Sequence, residues 1–114
     1  MIKDCKTAQD WQQLLADSRE KPVFLLKHST RCGISASAYR KFEEYAQTDA
    51  ADFWKVLVVE DRPLAQQIAR ETGIQHQSPQ AILFRQGKAV WDTSHWSITP
   101  QEMASALLKT AEQA

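Results

Sequence analysis

Val23-Phe24-Leu25-Leu26-Lys27-His28-Ser29-Thr30-Arg31-Cys32-Gly33-Ile34-Ser35 is the stretch on which the fold turns. It opens as a continuous apolar run, the pattern of a strand covered on both faces. Polar and small residues follow, and inside them a helical spacing begins that carries Ile34, Ala38, Phe42, Tyr45 and Ala46. The segment therefore reads as strand, tight loop, helix, with Cys32 at the helix start. A helix start offers unsatisfied N–H groups and partial positive charge, which favour a thiolate over a thiol. Arg31 adds a full charge beside it. Most free cysteines are inert packing, but this one is flanked by Ser, Thr, Arg and Gly rather than by core residues, so Cys32 is the candidate nucleophile.

Working outward, Thr7 and Asp10 form a capping-box pattern ahead of Trp11, Leu14 and Leu15, which predicts a first helix to about Ser18. Pro22 breaks it and delivers the chain into a strand over Val23–Lys27. The helix that begins near Cys32 is expected to run to about Gln47. Trp54–Val59 reads as a second buried strand. Asp61 and Pro63 start a third helix on a stripe of Leu64, Ala65, Ile68 and Ala69, and Gly73 stops it. A polar connector, Ile74–Gln80, precedes a strand over Ala81–Phe84. Gln86-Gly87-Lys88 is a compact turn to an antiparallel partner, Ala89–Trp91. Asp92–Ser97 is expected to be loop, and Thr99, Pro100 and Glu102 open a final helix through Met103, Leu107 and Leu108.

The totals bound the function. A chain of 114 residues with 43% hydrophobic and 25% charged residues is expected to form a single domain over 1–114. Fourteen basic and fourteen acidic residues cancel, so neither nucleic acid nor a membrane surface is supported as a partner. No run has the length of a signal peptide core or a spanning helix, and a cytoplasmic location and a monomer are expected. The two cysteines, Cys5 and Cys32, are too few for a disulfide scaffold. Cys5 is expected in a loose terminus. The three histidines, His28, His76 and His95, lack metal-ligand spacing, so no metal site is expected. His28 is expected to hydrogen-bond backbone, and Trp91 and Trp96 to pack in core and loop.

An added N-terminal helix, then β-α-β-α-β-β-α with a cysteine after the first central strand and a proline before the third, resembles an α/β thioredoxin-like domain. That fold implies a central mixed four-stranded sheet with helices on both faces. Four separated blocks narrow the likeness: Lys27 to Ser35, Glu60-Asp61-Arg62-Pro63-Leu64, Ser78-Pro79-Gln80 and Thr93-Ser94-His95-Trp96. Together they resemble the monothiol bacilliredoxin family, bacilliredoxin C. Its Thr-Cys-Pro-Ile-Ser site places the redox cysteine on Cys32 and the terminal serine on Ser35. Arg31 stands where the family commonly has threonine, and Gly33 replaces its proline, which loosens the helix start.

The resemblance implies a thiol-disulfide oxidoreductase without bound cofactor, using bacillithiol as co-substrate and S-bacillithiolated proteins as clients. Because position 35 is serine, the mixed disulfide must be resolved by a second thiol. Ser35 either donates a hydrogen bond to the thiolate or caps backbone N–H groups. Thr30, Gly33, Ser78 and Pro79 are the expected substrate-binding residues, with a cis bond before Pro79. The malate part of bacillithiol makes Arg31 and Lys27 candidate contacts. Two other readings remain. Cys32-Gly33-Ile34-Ser35 is also similar to the Cys-Gly-Phe-Ser site of monothiol glutaredoxins, which carry iron-sulfur clusters, although those have Val-Pro at the Ser78-Pro79 position and a Gly-Gly pair where only Gly87 occurs. The last reading is a binding module that has kept the fold and lost turnover.

Overall fold

A computed structural model describes residues 1–112. Five strands and four helices follow in order: β1 (Ile2–Asp4), α1 (Ala8–Asp17), β2 (Val23–His28), α2 (Gly33–Tyr45), β3 (Asp52–Leu57), α3 (Arg62–Thr72), β4 (Gln80–Arg85), β5 (Lys88–Ser94) and α4 (Pro100–Lys109), with a short 3-10 turn at His95–Ser97 before α4. The sheet order is β1-β3-β2-β4-β5. β1 and β2 run parallel to β3, while β4 lies antiparallel to β2 and β5.

All six residues of β2 are buried because both faces of this central strand are covered. Phe24 and Leu26 point to one side, where α2 and α4 supply Ala38, Phe42, Tyr45, Met103 and Ala106. Val23 and Leu25 point to the other, where α1 and α3 supply Trp11, Leu14, Leu64 and Ile68. Phe24 is the centre of the first layer: its ring stacks on Phe53 at 5.8 Å and meets Tyr45 and Trp91 edge-on at 6.0 and 6.1 Å. The caps read from sequence are present. Thr7 and Asp10 close a capping box on α1, Thr99 Oγ1 accepts the Glu102 N–H, and Gly73 ends α3 at φ 73°. Gln86 (φ 55°) and Gly87 (φ 76°) both take left-handed backbone in the β4–β5 turn, as a tight hairpin requires.

The sheet has one strand more than the four expected. Ile2–Asp4 adds to the edge beside β3, and the Cys5 N–H continues the pairing to Lys55 O at 2.8 Å. A three-residue edge strand with two exposed positions has too little alternation to be read from sequence. Cys5 is consequently not in a loose terminus. It is fully buried, and burial, helped by Asp10 and Asp61, pushes its thiol up to about 12. β5 also extends to Ser94, so only the end of the expected loop is a turn, and α2 stops at Tyr45. Trp91 packs on Phe24 as expected, but Trp96 is 63% exposed with Lys41 Nζ 5.9 Å from its ring. Among the described residues no helix is long and apolar enough to cross a membrane.

Candidate active site

The C-terminal ends of β2 and β3 and the start of β4 meet at one end of the sheet. Lys27 lies opposite Gln80 in the β2–β4 register, and the Val58 N–H donates to His28 O at 3.0 Å. The loop Ser29–Cys32 leaves β2 at this end, and Ser78–Pro79 enters β4 there. The peptide bond between Ser78 and Pro79 is cis.

Cys32 occupies the N-cap of α2 with extended backbone (φ −121°, ψ 125°). Its carbonyl accepts the Ala36 N–H at 3.0 Å, so Gly33, Ile34 and Ser35 form the first turn, whose N–H groups have no partner within the helix. The thiol is free and partly exposed. A short apolar strand stopping at a polar loop, followed at once by helical spacing, is the local reason: it leaves the thiol at a positive helix end rather than in the core.

The remaining candidates divide by depth. Thr30, Arg31 and Gly33 are exposed around the thiol. Thr30 Oγ1 lies 3.5 Å from Glu60 Oε2, and the Arg31 N–H donates to Ser29 Oγ at 3.3 Å. Pro79 is buried and Ser78 half-buried. Ser35 is fully buried, and its Oγ accepts the Ser29 N–H at 2.9 Å and pairs with His28 Nδ1 at 2.8 Å. Of the two roles open to this serine, the geometry displays backbone bonding; among the described residues it makes no hydrogen bond to Cys32. It ties both ends of the loop together and so positions the thiol.

His28 departs from the expectation of a backbone partner. Besides meeting Ser35, its ring stacks on Tyr39 with centroids 4.9 Å apart. Burial, reinforced by the Lys55 charge and opposed by Glu60, lowers its pKa and keeps the imidazole neutral at pH 7. Lys27 is a second correction: as a fully buried side chain it makes no direct contact with a ligand. Its Nζ lies 3.2 Å from His76 Nδ1. The signal was present in the sequence, since a lysine that prolongs an apolar run in a two-sided strand has nowhere to go but inward.

Gly33 shows no steric need for glycine. A Cβ built there meets nothing within 4 Å. Gly33 is the first helical residue, where proline is favoured, and the extended backbone of Cys32 is what a residue before proline requires. Gly33→Pro is expected to stabilise the fold by about 0.4–1 kcal/mol by restricting the unfolded chain. A urea midpoint below that of the parent protein would contradict this.

A thioredoxin-type sheet presenting one cysteine at the N-cap after its central strand, with serine three residues on and a cis-proline at the same end of the sheet, defines a monothiol protein of the thioredoxin-fold oxidoreductases. The comparisons agree. The chain belongs to the family described as monothiol bacilliredoxin BrxC, whose profile matches residues 3–103. It is similar to a candidate oxidoreductase with a thioredoxin fold, at 32% identity and TM-score 0.85 over 92% of each chain. The Malassezia sympodialis thioredoxin Mala s 13 matches at 23% identity and TM-score 0.74, over 96% of this chain and 90% of that one. Fasciola hepatica thioredoxin matches at 17% identity and TM-score 0.75, over 95% and 98%. These two bear on the fold alone. Membership of the family supports a thiol redox function linked to a bacillithiol-related system.

Proposed function

We propose that this protein removes bacillithiol from S-bacillithiolated protein cysteines through a mixed disulfide on Cys32. The observation that carries the reading is the partly exposed Cys32 thiol at the N-cap of α2 in a chain of the bacilliredoxin family. The Cys32 thiolate attacks the bacillithiol sulfur of the client disulfide. A new S–S bond forms, the client S–S bond breaks, and the client thiolate leaves with the electron pair and takes a proton from solvent. Cys32 then carries bacillithiol. A second, external thiol attacks that sulfur, leaves with it as a disulfide and returns the Cys32 thiolate.

Resolution from outside follows from the chain itself. Ser35 holds the position of a resolving cysteine, and Cys5 is a buried thiol whose ionisation is strongly disfavoured. In this reading the client contacts Ser78 and Pro79 at the entry to β4 and the exposed Thr30 and Gly33 on either side of Arg31 and Cys32. Arg31, exposed and next to Cys32 in the chain, supplies positive charge at the mouth of the site.

The test is the reaction of purified, reduced protein with a bacillithiol mixed disulfide, followed by intact mass, with the glutathione analogue in parallel. One adduct on Cys32, formed faster from bacillithiol, supports the reading. Equal or faster uptake of glutathione would move the assignment toward the glutaredoxin-like alternative. Absence of any adduct would leave the binding-module reading. In the same series, alkylation of the native protein at pH 7 is expected to label Cys32 alone, and unfolding to add label at Cys5.

A further inference from the structure

Next to the Cys32 end of the sheet lies a cavity of about 290 Å³ lined by Val58, Val59, Arg62, Ala65, Gln66 and His76. It borders the site through two chain connections. Val58 bonds His28 at the end of β2, and His76 stands two residues before Ser78. No acidic residue lines it. The nearby carboxylates Glu60 and Asp61 face a neighbouring cavity that contains Lys6 and Arg70. Among the described residues, neither Arg62 nor Lys27 has a carboxylate within salt-bridge distance.

The Lys27–His76 contact decides what His76 offers. An ammonium has donors only, so at 3.2 Å the Lys27 Nζ–H donates and His76 Nδ1 accepts. The imidazole proton is then on Nε2. Burial and the Lys27 and Arg62 charges lower the His76 pKa, so the ring remains neutral with that one N–H to donate. The cavity thus presents a guanidinium and an N–H donor against an apolar wall of Val58, Val59 and Ala65. With no carboxylate in the lining and the Gln66 amide able to turn its NH2 inward, the cavity fits an acceptor-rich anion attached to a short carbon chain.

We propose that this cavity binds the malyl carboxylates of bacillithiol, with Arg62 and His76 as direct ligands and Lys27 as the positioning residue that sets the His76 tautomer. The inference rests on bacillithiol being the co-substrate. It moves the anion subsite from Arg31 and the buried Lys27 to Arg62 and the His76 that Lys27 supports, and it gives the protein a means of distinguishing a malyl-bearing thiol from one without the malyl group. Arg62, the cation that lines the cavity, gains its counter-charge from the ligand.

The experiment compares the rates at which Cys32 takes up bacillithiol from its mixed disulfide and the cysteinyl-glucosamine moiety from the matching compound lacking the malyl group, in the parent protein, Arg62→Ala and His76→Ala. The parent is expected to favour the malyl compound, and each variant to reduce that preference by about tenfold, the loss of a charge-assisted contact. A preference unchanged in both variants overturns the subsite while leaving bacillithiol as co-substrate. Rates that fall together for both compounds also overturn it, because the cavity would then only shape the Cys32 loop. If the parent takes up neither compound, the co-substrate reading fails and the subsite with it.

Discussion

Cys32→Ser is expected to abolish thiol-disulfide exchange, lowering the rate of client reduction by about a thousandfold or more. Removing an attacking nucleophile has effects of this order, since a serine hydroxyl is scarcely ionised where a thiolate reacts. The fold should hardly notice. The thiol is partly exposed and makes no capping hydrogen bond, so a change within about 0.5 kcal/mol is expected, as for other surface substitutions. The combination matters: lost exchange with an unchanged unfolding midpoint assigns the defect to chemistry. Retained exchange in Cys32→Ser would place the reaction on Cys5, against its burial and its ionisation near 12.

The second large effect has the opposite sign. Lys27→Met is expected to stabilise the protein by about 3 kcal/mol at pH 7. The Lys27 ammonium is fully buried on the face that carries Val23 and Leu25, and burial lowers its pKa from 10.5 to about 8. Each pKa unit corresponds to about 1.36 kcal/mol between the charged and neutral forms, which sets the size of the gain. Methionine is similar in length and carries no charge, so it fills the same space.

The pH dependence distinguishes this from ordinary packing. Below pH 8 Lys27 is protonated in both folded and unfolded states, and the native state bears the full cost of the buried charge. Between about 8 and 10.5 the folded protein releases the proton first and the unfolded chain binds more protons, so stability rises with pH. The advantage of Lys27→Met should therefore shrink across that range. Cys5 acts in the other direction from 9 to about 12, because the unfolded thiol ionises while the folded one does not. That contribution is common to both proteins and cancels in their difference. Urea unfolding at pH 7 and pH 10 measures it, and a constant difference would show that the cost of Lys27 is not electrostatic. A lysine retained at such expense is consistent with its role behind His76.

Local signals carried much of the architecture. Capping at Thr7 and Thr99, the stop at Gly73, the turn at Gln86-Gly87 and the continuous apolar run of β2 each depend on residues close in the chain, and each is present where its pattern indicates. The position of Cys32 at a helix start was legible for the same reason. A strand-to-helix transition is written in the change of hydrophobic period within a dozen residues.

Other features depend on partners far apart in sequence. β1 exists only because β3 provides an edge for three residues to pair with, and that edge takes Cys5 from a terminus into the core. Ser35 is turned to His28 and the Ser29 N–H by the fold of the loop, so its nearness in sequence to Cys32 was a poor guide to its hydrogen bonds. Lys27 meets His76 across 49 positions of the chain. The sequence by itself determined where the nucleophile stands and which elements surround it, because those follow from propensity, capping and hydrophobic period. Only the tertiary structure decided which polar groups are buried and what they face, because the cost of removing such a group from water depends on every element packed around it.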